Sequence, residues 1–252
     1  MKIGKLNLLI GIVLIIGFPT IGFSSDKARF FSITTKSKSF FLLDKKGELV
    51  PEIINGKKFF KEGEGEYKFR RKISPKRTAL IVMDPWIDSG SDFLNQYFAP
   101  IYVTNVLPLV IKATTLKMPV IVLTNDPNRN DKGYASKIFP ELEKMATEGS
   151  LQILYHQDYD EKLFAKYLRI KGVNTLIYSG FSSNMCVIGR DTGMIPMKTN
   201  GFKLYFIPKA SAAIEFKDSW ETGSVHKNTT SIISQGIAEL IELDDFLKLT
   251  LI

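Results

Sequence analysis

The chain has 252 residues, 34 Lys/Arg against 26 Asp/Glu for a net charge of +8, two histidines and a single cysteine. One cysteine excludes an internal disulfide framework, and two histidines leave few ligands for a histidine-rich metal centre. The length suits one well-buried domain, and no repeat or low-complexity tract argues otherwise.

The chain opens "MKIGKLNLLIGIVLIIGFPTIGFSSDKARF". Lys2 and Lys5 precede an apolar run from Leu6 to Ile16, and small residues follow at Gly22, Ser24 and Ser25. This is the layout of a secretory signal, read here as residues 1–25, which implies an exported, periplasmic or secreted protein. The alternative is an uncleaved anchor, since the apolar stretch approaches the roughly 18 residues that span a bilayer, although Gly11, Gly17 and Pro19 interrupt it.

Charge is unevenly spread. Residues 26–77 hold 15 Lys/Arg and 7 Asp/Glu, whereas residues 78–252 hold 17 and 19. The basic excess is densest in "KFRRKISPKR". Two readings stand: contact with an anionic surface through residues 26–77, or a solvated arm packed loosely on the domain. No nucleic-acid-binding motif accompanies the charge, so nucleic acid is not an expected partner. "ARFFSITTKSKSFFLL" alternates and is rich in β-formers, with turn signals at "KKGEL" and "INGKK". Residues 26–74 therefore read as a short basic β-rich extension, and 75–252 as the main domain.

After Pro75 short apolar runs of strand length recur: "TALIVMD" (78–84), "PVIVLTND" (119–126), "LQILYH" (151–156), "VNTLIYSG" (173–180), "FKLYFIP" (202–208) and "IAELIEL" (237–243). Helical periodicity fills the gaps over 94–118 (in two pieces, given Pro100 and Pro108), 135–148, 160–171 stopped by Gly172, 187–200 stopped by Gly201, and 223–234. Alternation of fully apolar strands with helices predicts an α/β three-layer sandwich around a mostly parallel sheet. In such sheets ligands bind beyond the carboxyl ends of the strands. Asp84, Asp126, His156 and the turn 180–186 all fall at those ends.

That turn lies in "YSGFSSNMCVIGRDTGM", which holds the only cysteine, Cys186. A cysteine in the first turn of a helix sees unpaired N–H groups and the positive end of the helix dipole, which favour the reactive thiolate. The N–H groups of Met185 and Cys186 would hold an oxyanion, and Asp84 on a neighbouring strand would take the thiol proton. Small Ser182 and Ser183 let the turn be tight. The competing reading is a buried cysteine serving as a small hydrophobe.

"TALIVMD" followed by "GVNTLIYSGFSSNMCVIGRDTGMIPMKTNGFKLYFIPKASAA" resembles the isochorismatase-like cysteine hydrolases over roughly residues 75–245. Asn184, Met185, Cys186, Val187, Gly189 and Arg190, with Trp86 two residues after Asp84, match one subset. The resemblance implies hydrolysis of a small amide or related compound at a C–N bond by a Cys186 nucleophile and an Asp84 base, without a cofactor. The family's third group, a lysine, is not matched: His156 stands at that position, as a replacement proton carrier, as the mark of a protein that binds without turnover, or as a strand-end residue hydrogen-bonded locally. Nicotinamidase-like members bind metal through an Asp and several His; with only His156 and His226, and no His-x-His beside Asp88, no metal is expected here. Trp86, Asp88, Asp126, Ser182, Asn184, Met185 and His226 are the expected substrate contacts. Each has a plainer alternative as a packing, capping or turn residue, Asp126 with Pro127 above all. Relatives are often oligomers, so a homo-oligomer is also expected.

Overall fold

The computed structural model describes residues 30–251; the proposed signal 1–25 lies outside them. The strands are β1 (Phe31–Phe41), β2 (Pro51–Ile54), β3 (Lys57–Phe60), β4 (Glu62–Ile73), β5 (Thr78–Met83), β6 (Val120–Thr124), β7 (Gln152–Tyr155), β8 (Thr175–Phe181), β9 (Lys203–Ala212) and β10 (Glu239–Ile241). The helices are α1 (Asp92–Ile101), α2 (Leu107–Thr115), α3 (Pro140–Thr147), α4 (Glu161–Ile170), α5 (Cys186–Gly189), α6 (Met194–Thr199), α7 (Ser224–Ile232) and α8 (Leu243–Leu247).

An eight-stranded sheet of order β4-β1-β10-β9-β8-β5-β6-β7 forms the middle layer. From β10 to β7 every neighbouring pair is parallel, while β1 runs antiparallel to both β10 and β4. All six apolar runs expected after Pro75 are strands of this sheet. The basic stretch before Pro75 contributes two strands to it, so the sheet continues across that boundary.

Side chains alternate between two cores. Leu80, Val82, Val122, Ile177 and Tyr205 face a layer built from α1, α2, α3, α8 and the β1–β4 residues Phe31, Ile33 and Ile73. Ala79, Ile81, Met83, Leu123, Leu176 and Phe206 face α4, α5 and α6 through Phe164, Leu168, Val187 and Met197. Strands buried on both faces require continuous apolar runs, which is why the period-two alternation is absent from them.

Two helical expectations change. The stretch around Pro100 and Pro108 is one continuous rod, because the π-helical turn Tyr102–Val106 joins α1 to α2 without a break. By length and composition this 92–115 rod could cross a membrane, but it packs on the sheet through Phe98, Tyr102, Val106, Leu109, Val110 and Ala113. The helix expected over 187–200 is instead the short α5 and α6. Arg190 leaves α5 with extended backbone (φ −63°, ψ 158°), and Gly193 N–H donates to the Arg190 carbonyl at 2.6 Å. The intervening chain is held to the sheet by the Tyr178 hydroxyl, which donates to the Thr192 carbonyl at 2.8 Å.

Candidate active site

Asp84 follows β5 and has φ +47°, a left-handed conformation uncommon for a residue with a side chain. Such strain persists where surrounding structure over-determines it, and here the Asp84 N–H donates to Leu123 O at 2.9 Å. The next strand shapes the same corner. Gly180 on β8 has φ +100°, and a Cβ there would sit 2.1 Å from the Met83 carbonyl oxygen, so only glycine lets β8 close on β5.

The Asp84 carboxylate is wholly buried. His156, in the single turn after β7, places Nε2 at 2.7 Å from Asp84 Oδ1. An ionised carboxylate only accepts, so Nε2 carries the shared proton; in the neutral imidazole Nδ1 then accepts, and it faces the Thr192 hydroxyl at 3.4 Å. The other carboxylate oxygen, Oδ2, stands 3.3 Å from Arg190 Nε, with neither atom aligned for a hydrogen bond. Cys186 opens α5 beside this pair, and its sulfur interacts with both Asp84 and Arg190. The structure thus brings together the three residues singled out for chemistry, Asp84, His156 and Cys186, and adds a guanidinium.

The thiol is not activated in the way expected from a helix N-terminus. Burial, and then the Asp84 charge, push the Cys186 thiol up to about 11, with Arg190 opposing the rise. The physical reason is twofold. α5 has only four residues, too short to build a useful dipole. Burial and a neighbouring anion both disfavour a thiolate. The proposed oxyanion donors also separate: Met185 N–H already donates to Ser182 O at 3.1 Å, whereas Cys186 N–H makes no such backbone bond.

A cleft of about 270 Å³, lined by His156, Tyr159, Arg190, Asp191 and Thr192, adjoins the group. The expected substrate contacts occupy several environments. Met185 is exposed at the turn. Ser182 is buried, its carbonyl accepting from Met185 and Val187, and the Phe181–Ser182 peptide is cis. Asn184 clamps the turn to the chain after β9: its Oδ1 accepts from Ile214 N at 3.0 Å and its Nδ2 donates to Ile214 O at 3.4 Å. Trp86 donates from Nε1 to Thr124 Oγ1 at 2.9 Å. Asp88 is exposed and accepts from Gly90 N–H in its own turn. Asp126 accepts from Asn128 N–H and pairs with Arg129, which reaches on to Asp158; its own N–H donates to Gln157 Oε1, tying β6 to the turn that carries His156.

His226 sits behind the cysteine turn. Its Nδ1 lies 2.8 Å from Ser183 Oγ and its Nε2 is 3.1 Å from Pro208 O, so Nε2 donates and Nδ1 accepts from the serine. Burial lowers its pKa, which keeps it in that neutral form. Trp220 packs with tilted rings against Phe93 and Tyr97. Among the described residues no group of three or more His, Cys, Asp or Glu is gathered to hold a metal ion.

Arg190 is the residue that sequence reasoning undervalued. It lies four positions after Cys186, the spacing that puts two helical side chains on one face, and the sequence presents it only as part of a motif. Thr192 carries no sequence signal, because its approach to His156 depends on the break between α5 and α6; Tyr159 lies near His156 simply because it closes the same turn, its N–H donating to the His156 carbonyl at 3.2 Å.

No protein-family model and no curated protein matches the chain. Solved structures do. A cysteine hydrolase from Pseudomonas syringae pv. phaseolicola is 19% identical, with a TM-score of 0.53 covering 70% of this chain and 93% of that one. An isochorismatase from Pseudomonas putida is 21% identical, with a TM-score of 0.52 covering 68% and 91%. A nicotinamidase from Staphylococcus aureus is 15% identical, with a TM-score of 0.50 covering 66% and 97%. The chain has the α/β fold that these solved structures share.

Proposed function

We propose that the protein is a cysteine hydrolase that cleaves a C–N bond in a small amide or related compound. The observation that carries this reading is the buried contact of Asp84 with both His156 and Arg190, with the only thiol of the chain against the same carboxylate. A thiol pushed up to about 11 rests protonated, so its proton must leave as the sulfur attacks. Cys186 Sγ bonds to the carbonyl carbon while its proton passes to Asp84. The oxyanion is held by Cys186 N–H and by the charge of Arg190. Collapse breaks the C–N bond, Asp84 returns the proton to the leaving nitrogen, and a thioester remains. Water then attacks, giving up a proton to Asp84, and the acid departs as the thiol is restored. His156, donating to Asp84, orients the carboxylate towards the thiol.

Binding without turnover on the same scaffold is the second reading, favoured by the raised thiol pKa and by a histidine at the usual lysine position. Both readings include an exported protein, on the strength of residues 1–25, and a small-molecule ligand. Incubation with a panel of small amides and ureido compounds, followed by intact-mass analysis after acid quench, tests the enzyme. An acyl adduct on Cys186 with release of amine, both lost in Cys186→Ser, is the expected result. Saturable binding with neither adduct nor amine would leave the binding protein.

A further inference from the structure

A second cleft lies at the amino-terminal edge of the parallel sheet, opposite the edge that carries Asp84 and Cys186. Thr78 opens β5 beside it and Asp84 follows the far end of the same strand, about 20 Å away. The cleft has a volume of about 230 Å³. Arg71 and Lys72 on β4, Arg77 in the turn after it and Lys203 at the start of β9 all line it. Three of these four cations come from the basic run "KFRRKISPKR", for which the hydrolase reading has no use.

The four cations meet one carboxylate. Glu239 accepts from Arg71 at 2.9 and 2.7 Å, and it lies 4.0 Å from Lys203 Nζ. Arg71 also donates to the Lys45 and Lys46 carbonyls, so its guanidinium is already committed. Among the described residues neither Lys72 nor Arg77 has a carboxylate partner, and both are exposed. Burial lowers the Lys203 pKa, and Glu239 offsets only part of that.

A neutral donor completes the wall. Tyr205 lines the cleft and is only 1% exposed, yet its hydroxyl makes no hydrogen bond among the described residues. Burial, and then the Glu239 charge, raise its pKa, so the phenol keeps its proton. A buried hydroxyl without a partner is costly, and an anion in the cleft would supply the missing acceptor. Asn174 adds its Nδ2, since its Oδ1 already accepts from Thr175 Oγ1 at 3.0 Å.

Size and charge narrow the ligand. The volume is below the roughly 300 Å³ at which pockets for drug-sized molecules begin. With Arg71 balanced by Glu239, Lys72, Arg77 and Lys203 remain. A carboxylate would balance one of them, whereas a phosphate carries about two negative charges at neutral pH. A guanidinium also grips phosphate oxygens in pairs. We propose that this cleft binds the phosphoryl group of a small soluble phosphate or diphosphate, at a site separate from the Cys186 centre.

Titration calorimetry on the full chain, in phosphate-free buffer with about 0.15 M sodium chloride to screen loose surface attraction, tests the proposal. Sodium pyrophosphate and glycerol 3-phosphate are the probes, and the tighter of the two assigns an inorganic or an esterified ligand. Saturable binding is expected. Lys72→Gln and Arg77→Gln, at exposed positions, should each weaken it by about tenfold. Tyr205→Phe leaves the charge unchanged and should weaken it by about threefold or more. Two controls should bind as the parent does: the double variant Lys57→Gln, Lys58→Gln, which removes cations elsewhere on the surface, and Arg190→Met, which alters the other arginine-bearing cleft. Absence of saturable heat with either probe would overturn the proposal, as would unchanged affinity in a Lys72→Gln, Arg77→Gln double variant. Loss of binding in Arg190→Met would do so too, by placing the anion in the Cys186 cleft.

Discussion

His156 Nε2 lies 2.7 Å from Asp84 Oδ1, and the carboxylate it touches is wholly buried. A buried carboxylate without partners is unstable as an anion, so the imidazole is a condition of the site and not an accessory to it. Arg190, facing the second oxygen, is still 30% exposed and carries its charge at the edge of the cleft.

Removing the imidazole while keeping the acid should therefore be costly. His156→Ala is expected to destabilise the fold by about 3 kcal/mol, the range for breaking one side of a buried pair. Adding Asp84→Asn should recover a large part of that loss, because no uncompensated charge remains. Urea denaturation of the two single variants and the double variant measures the coupling. Additive losses would mean that the two side chains do not depend on one another.

The thiol reports on the same carboxylate. Alkylation of Cys186 by iodoacetamide should rise steeply towards pH 11 and not level off near 8.5, the region of an ordinary cysteine. Asp84 raises the thiol pKa, so Asp84→Asn should move the profile down; Arg190 lowers it, so Arg190→Met should move it up. Rates followed by intact mass across pH 6–11 decide this. Opposite displacements from the two variants are the signature, and a common displacement would rule out the proposed charge arrangement.

The architecture after Pro75 was legible because each central strand is buried on both faces and announces itself as an apolar run. Asp84, His156 and Cys186 were legible because strand order puts the ends of β5, β7 and β8 on one edge. What escaped was local geometry. Gly193 was hidden inside a helical period, yet its turn with Arg190 ends α5 after four residues and cancels the expected helix-dipole effect on Cys186. Asn184, in the cysteine-turn motif, and His226, near the start of the last predicted helix, are expected at the pocket, while their hydrogen bonds to Ile214, Ser183 and Pro208 show them bracing the turn. Partner choice by such polar side chains is set by tertiary contacts, which spacing does not encode.

The basic stretch before Pro75 offers a further measurement. Arg71 on β4 makes two bonds to Glu239 on β10, at 2.7 and 2.9 Å, and Thr35 on β1 donates to the same carboxylate. Three strands thus share one mostly buried anion. Glu239→Ala would leave the guanidinium without a counter-charge, hydrogen-bonded only to the Lys45 and Lys46 carbonyls, and is expected to cost about 3 kcal/mol. Hydrogen exchange should show β1 and β4 losing protection well before β5 and β8. Uniform loss across the sheet would mean that the extension and the central strands open as a single unit.

Two glycines with similar backbone angles separate conformational strain from collision. Gly172 has φ +75° with open space around the site of a Cβ, so Gly172→Ala should cost about 1 kcal/mol from the left-handed backbone alone. Gly180 has φ +100° and would place its Cβ 2.1 Å from Met83 O and 2.7 Å from Met83 N, backbone atoms that cannot turn aside. Gly180→Ala must force β8 away from β5, with an expected cost of about 3 kcal/mol or more. Since Asp84 follows Met83 directly, that displacement also shifts the carboxylate against Cys186. The alkylation profile of Gly180→Ala should consequently move towards that of Asp84→Asn under conditions where the variant remains folded. A stable Gly180→Ala with an unchanged profile would show that the β5–β8 spacing does not set the distance between the acid and the thiol.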